Sequence, residues 1–240
     1  NQIALDYYQQ ALLLSREMGG SGESKYLNNV GVAFFALGEN QKALDYYQQS
    51  LKLSKENGSR ALEASILTNI GFLYYTTGEN QKALDYYQEA MPLFSRAEDR
   101  SGKATLFYKI AQLEQNRGNL HAALRPIQES IAIVEELRTK LIDPDLRQSY
   151  FTTVQDRFQF YIELLMELHQ QNPSQGYDKQ AFNISERSRA RTLLELLAEA
   201  NANIKEGIDP QLLTQEKTLQ GQLDATEKQR LEIYETPESS

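Results

Sequence analysis

The 240 residues include 33 acidic and 25 basic side chains, for a formal net charge of −8. A surface of that sign argues against general binding to nucleic acid or to an acidic membrane, both of which need a positive excess to release counterions. No cysteine is present, so disulfides, thiolate metal sites and a cysteine nucleophile are excluded within these residues.

Hydrophobic residues make up 40% of the chain, with 6 prolines and 13 glycines, the composition of a folded chain rather than a disordered one. No apolar run approaches the roughly 18 residues that span a bilayer. The first residues, Asn1 to Asp6, lack the basic-then-apolar order of a signal peptide. The chain therefore reads as cytoplasmic.

From the N-terminus, residues 1–18 predict one helix around Ala4-Leu5-Asp6-Tyr7-Tyr8. Next comes Leu27-Asn28-Asn29-Val30-Gly31, then Gly38-Glu39-Asn40-Gln41-Lys42-Ala43-Leu44-Asp45-Tyr46-Tyr47-Gln48, and both blocks recur forty residues on. The first returns as Leu67-Thr68-Asn69-Ile70-Gly71, the second residue for residue at Gly78 to Gln88. A fainter third copy runs from Phe107-Tyr108-Lys109-Ile110-Ala111 to Gln128, with Ala111 in place of glycine and Glu114 in place of an aromatic. The unit is two helices, A then B: Leu67, Ile70, Gly71 and Tyr74 share one helical face. Gly78 is expected to end helix A and Asn80 to open helix B. Full repeats are expected at about 24–58, 64–98 and 104–138. Pro92 and Pro126 fall inside predicted B helices and are expected to kink or shorten them.

This pattern resembles the tetratricopeptide repeat (TPR), and its forty-residue period is similar to the long TPRs of kinesin light chains and Pins-type adaptors. The resemblance implies an all-α solenoid, a right-handed superhelix of antiparallel helix pairs, because one pair cannot bury its apolar stripe alone. It also implies a concave groove lined by the A helices.

After residue 138 the period fades but helical patterning continues. Asp143-Pro144 reads as an N-cap followed by proline at the first helical position, opening a stripe of Leu146, Tyr150, Val154, Phe158, Tyr161, Leu165 and Leu168. Asn172 to Gly176 closes it, and Asp178 opens a helix running to about Asn203. Residues 143–203 thus read as a degenerate TPR-like pair. Asp209-Pro210 starts a linker helix over 209–235 whose sparse leucines suit a coiled coil. In order, Arg147-Gln148-Ser149-Tyr150-Phe151, Phe160-Tyr161-Ile162-Glu163-Leu164-Leu165-Met166, Ser185-Glu186-Arg187-Ser188-Arg189-Ala190-Arg191 and Asp209-Pro210-Gln211-Leu212-Leu213 resemble the segment that joins TPRs to a CHAT domain. CHAT domains are caspase-like modules of bacterial proteins; the resemblance stops before such a module begins.

No catalytic constellation is readable. His121 and His169 have no ligand spacing around them, so neither metal nor cofactor is expected, and neighbouring carboxylates such as Glu135 and Glu136 diverge on a helix. Arg187, Arg189 and Arg191 read as a solvated face, or as a site for an anion or acidic partner.

The A-helix positions that do not pack on helix B are expected to face the groove. They are Lys25, Asn28, Asn29, Val32 and Phe35; Ser65, Thr68, Asn69, Phe72 and Tyr75; and Thr105, Tyr108, Lys109, Gln112 and Gln115. Asn29 and Asn69 stand in register. In peptide-binding TPRs that this chain resembles, an asparagine there holds the ligand backbone, and a carboxamide suits that task by offering donor and acceptor together. The bland alternative is that it braces a local turn. Lys109 takes the same place in the third repeat and is placed to meet a carboxylate. The expected partner is a protein or peptide segment, including the parent's own C-terminal module. The rival function is a structural spacer or self-association module without a specific peptide ligand.

Overall fold

The computed structural model describes residues 2–20, 22–140 and 144–189, together with 215 and 218. Its two compact units are Asn1–Ser188 and Arg189–Ser240. The predicted helix beyond residue 189 and the linker helix at 209–235 lie outside the described residues, apart from 215 and 218.

Every regular element among the described residues is helical. α1 (Gln2–Glu17) is followed by α2 (Glu23–Ala36), α3 (Asn40–Glu56), α4 (Arg60–Thr76), α5 (Asn80–Arg96), α6 (Arg100–Asn116), α7 (Leu120–Lys140) and α8 (Pro144–Gln171). A 3₁₀ turn at Pro173–Gln175 leads into helical residues 177–189. The helices pack in consecutive pairs, α2 on α3, α4 on α5 and α6 on α7, and the A helices α2, α4 and α6 also touch in sequence.

The pairing rests on small residues that let backbones close. A Cβ on Gly71 would lie 2.5 and 2.7 Å from the Tyr87 ring and 3.2 Å from the Ala83 carbonyl oxygen. Gly31 meets Tyr47 and Ala43 in the same way. The two tyrosines are therefore buried, and burial raises both phenol pKa values. Their chain neighbours stack on helix A of the same repeat, Tyr46 on Phe34 at 5.3 Å and Tyr86 on Tyr74 at 5.5 Å. Further along each pair, Ser50 Oγ donates to the Ser24 carbonyl at 2.6 Å, and Ser130 Oγ to the Ala104 carbonyl at 2.7 Å.

Gly38 and Gly78 adopt φ of 80° and 83°, and the amides of Glu39 and Glu79 reach back to the carbonyls of Phe34 and Tyr74, a Schellman-type stop. Helix B does not open as expected from the sequence. Asn40 and Asn80 are the first helical residues rather than caps; Glu39 and Glu79 hold the cap positions without a side-chain cap bond. Each of these glutamates instead pairs with the lysine three residues on, Lys42 or Lys82. The proline expectation also needs correcting on length. α5 contains Pro92 yet spans the same 17 residues as α3, and α7 contains Pro126 and spans 21. Pro92 is exposed, and each helix continues on both sides of its missing amide donor.

Candidate functional site

A series of side-chain contacts runs from α2 across α4 and α6 to α8. At its α2 end, Asn69 Nδ2 donates to Asn28 Oδ1 at 2.9 Å, tying two repeats together. Phe35 meets the edge of Phe72 at 5.5 Å, and Phe72 stacks on Tyr75 at 5.8 Å. Lys109 Nζ sits 3.6 Å from the centre of the Phe72 ring and 5.7 Å from that of Tyr108. Tyr108 in turn meets Phe160 edge-on at 5.5 Å, with the Arg157 guanidinium 5.7 Å from its ring centre.

These contacts place the residues expected from the sequence unequally. Thr68 and Tyr108 are buried, whereas Asn29, Asn69, Phe35, Phe72, Tyr75, Lys109 and Gln112 are partly buried and Lys25 is exposed. Lys25 and Asn29 stand apart from the string. Burial pulls the Lys109 ammonium down to about 8, with the Asp156 carboxylate opposing the drop and Arg157 adding to it. The Lys109 charge is thus held against a ring rather than in water. One turn further, Gln112 Oε1 is buried with no partner among the described residues.

Sequence reasoning missed Arg157. Its guanidinium is buried from α8 and donates to Thr105 Oγ1 at 3.0 Å and to Ser130 Oγ at 3.3 Å. Only an alignment of α8 with the preceding A helices would have pointed to it, and there the repeat has decayed. Asn28 was placed on the inward face, but its role as the partner of Asn69 was not readable from register alone.

Two cavities adjoin the string or the repeat edge. One of ≈ 190 Å³ lies between α4 and α6, lined by Ser65, Thr68 and Asn69 on one side and Ser101, Gly102 and Thr105 on the other, with Phe94 of α5 at its floor. The other, of ≈ 740 Å³, lies where α5 and α7 end. Its three cations, Arg100, Lys103 and Lys140, face Glu98, Asp99 and Glu136, and Glu136 pairs with both Arg100 and Lys140. Opposite charges there cancel on the protein itself. The expected arginine face is also partly used internally: Arg187 forks onto Glu135 of α7 at 2.9 and 3.0 Å. Arg191 lies outside the described residues.

Among the described residues no group of His, Asp and Glu is arranged to hold a metal ion, and no helix is long and apolar enough to cross a membrane.

Comparison with curated proteins finds no match. Among solved structures, BtubC (BKLC) from P. vanneervenii superposes with a TM-score of 0.62 at 20% identity, covering 80% of this chain and 74% of that one. A Podosopora anserina protein described as a kinesin light chain with nearly identical TPR-like repeats gives 0.52 at 13%, covering 80% and 88%. Aspartyl phosphate phosphatase F from Bacillus subtilis gives 0.52 at 18%, covering 77% and 54%. At these identities the likeness is one of fold. The family description "Tetratricopeptide repeat" matches residues 1–56 and 62–136, more than half of the chain, and the chain belongs to the tetratricopeptide-repeat family.

Proposed function

We propose that the groove grips an extended protein or peptide segment, with Asn29 and Asn69 holding its backbone and Lys109 meeting an acidic side chain. The observation that carries this reading is the trio of partly buried residues Asn69, Phe72 and Lys109, a carboxamide, an aromatic ring and a cation on α4 and α6, with Lys109 Nζ over the Phe72 ring. None of the inward positions on the three A helices is acidic, although the chain as a whole has a net charge of −8. Tetratricopeptide repeats are in general modules of protein–protein interaction, and nothing in the arrangement of described side chains favours catalysis.

In a longer parent, the array targets or regulates a CHAT peptidase-like module. The support is the resemblance carried by Arg147 to Phe151, Phe160 to Met166 and Ser185 to Arg191. A bacterial, cytoplasmic setting follows from the same resemblance together with the absence of cysteine.

The test replaces Asn29→Ala and Asn69→Ala together and compares capture of partners from the source organism with capture by the unaltered chain. A loss of tenfold or more in the double variant, with its thermal unfolding retained, is expected. Equal capture removes the groove from the account. Self-association is favoured by one observation, the exposure of Ile3, Tyr7 and Leu14 on α1 and of Met18 just after it. Light scattering across concentration decides it, since a stable oligomer is required.

A further inference from the structure

We infer that the cavity between α4 and α6 is a side-chain pocket for one aliphatic residue of the bound segment, and that this residue stands two positions from the acidic residue that meets Lys109. The inference rests on the peptide-groove reading and names the chemistry of what that groove selects.

The pocket comes from an exchange of large and small residues between repeats. In the forty-residue register, Ser54 and Leu62 at the α3–α4 junction become Phe94 and Gly102 at the α5–α6 junction. Phe94 is 2% exposed, and a Cβ on Gly102 would lie 2.1 Å from its ring and 2.6 Å from the Asp99 carboxylate. The phenyl ring thus takes the volume that Leu62 occupies one repeat earlier, but from below, leaving open space above Gly102. Equivalent places at the adjoining junctions hold larger side chains. At the earlier one, Lys25 stands where the pocket has Ser65. At the later one, Arg157 reaches across to Thr105 and Ser130.

The lining is less polar than its residue names suggest. Ser65 Oγ donates to the Ala61 carbonyl at 3.0 Å, Thr68 Oγ1 to that of Ala64 at 2.8 Å, and Thr105 Oγ1 to that of Ser101 at 3.2 Å. One N–H of the Asn69 carboxamide is engaged by Asn28. With these three hydroxyl donors turned back onto the protein, a charged guest would enter at a desolvation cost, whereas an aliphatic guest needs no partner. The volume suits a single side chain, since an apolar cavity of about 150 Å³ already admits benzene.

The spacing follows from two rises. Thr105 at the pocket and Lys109 are four residues apart on α6, about 6 Å at ~1.5 Å per residue. An extended peptide advances ~3.3 Å per residue and alternates faces, so residues two apart point the same way at about that separation. Around Lys109, the Asp156 carboxylate of α8 outweighs the opposed Arg157 guanidinium, so an acidic side chain of the ligand competes with Asp156 for the ammonium.

The test titrates the ¹⁵N-labelled chain with capped tripeptides, Ac-Leu-Ser-Glu-NH₂ and its reverse Ac-Glu-Ser-Leu-NH₂, because either chain direction satisfies the geometry. One of the two is expected to shift the amide signals of Thr68, Gly102, Thr105 and Lys109, with the leucine-to-alanine analogue at least tenfold weaker. Ser65→Lys, which installs the residue α2 carries at that place, is expected to abolish the leucine preference while leaving the spectrum folded. Leucine and alanine peptides binding within twofold of each other, or Ser65→Lys binding like the unaltered chain, overturns the pocket. Silence of the groove amides toward all tripeptides overturns it too. In that case the Asn29/Asn69 double variant separates the two ideas: lost partner capture keeps the groove and discards only the pocket, and retained capture discards both.

Discussion

The second and third repeats, α4–α5 and α6–α7, solve one packing problem with different residues. Where α4 brings Gly71 onto the Tyr87 ring, the third repeat has Ala111 and Ile127 at the equivalent positions in one core cluster, and all four positions are buried. A methyl added on helix A is matched by a ring removed from helix B. At the turn, Tyr74 stacks on Tyr86 beneath Lys82, whereas in the third repeat Glu114 accepts from Arg117 at 3.0 Å and from Asn119 at 2.8 Å. What the repeats share is therefore a conserved volume and a satisfied turn, and residue identity is free to vary in compensated pairs.

Breaking one half of such a pair is the largest expected effect. Gly71→Ala drives a Cβ to 2.5 Å from a fully buried ring, and overpacking of this kind costs about 2–3 kcal/mol. Adding Tyr87→Ile should recover most of that loss, since the double variant copies the Ala111–Ile127 arrangement. Urea unfolding of the two single variants and the double variant measures the coupling; additive losses would show that the compensation is coincidental.

Next comes Glu114→Ala, which removes the buried carboxylate that accepts from Asn119 and Arg117 at an exposed turn; losing these two charge-assisted hydrogen bonds is expected to cost about 1–2 kcal/mol. Tyr74→Ala is the comparison: it removes ring burial rather than a polar network, so Glu114→Gln should rescue the first defect in part. A glutamine variant as unstable as the alanine one would tie the cost to charge instead of hydrogen bonding.

The third effect is smaller. Asn28→Ala removes the carbonyl that Asn69 Nδ2 binds, worth about 1 kcal/mol, and hydrogen exchange of the α2 and α4 amides should quicken more than that of α6 and α7. Uniform change across all four helices would mean that the bond does not act at the repeat boundary.

The repeating helix pairs were legible because periodicity and glycine placement report backbone requirements directly. Gly71 was readable on the packed face of helix A from spacing alone, whereas its contact with the Tyr87 ring is seen only in the fold. Less legible were features set by differences between repeats: the Phe94–Gly102 exchange, which needs the register laid over itself, and Arg157, which comes from a helix where the register has lapsed. The asparagines at 40 and 80 misled because a residue suited to capping sits one position inside the helix, with Glu39 and Glu79 ahead of it. Helix α5 survives Pro92 because a lost amide donor costs one bond, while the helix is held by its buried face of Ala83, Tyr87, Ala90 and Phe94.

The smallest effect separates the repeats at a single register position, where Asn29 and Asn69 are followed by Lys109. The folded ammonium titrates at about 8 rather than 10.5, so between those values the unfolded chain binds more protons than the folded one. Stability therefore rises with pH in that window. Tyrosines whose pKa is raised by burial, Tyr47, Tyr87 and Tyr108, act in the opposite sense, but only above about pH 10, where the unfolded phenols ionise. From pH 7.5 to 9 the lysine term should dominate and amount to no more than about 1 kcal/mol. Lys109→Met should flatten the slope and be at least as stable at pH 7, because it removes the desolvated charge while keeping contact with Phe72. Binding of an acidic tripeptide should weaken over the same interval as the ammonium neutralises, so folding and binding respond to one proton with opposite signs. An unchanged slope in Lys109→Met would assign the pH dependence to other groups and detach it from the groove.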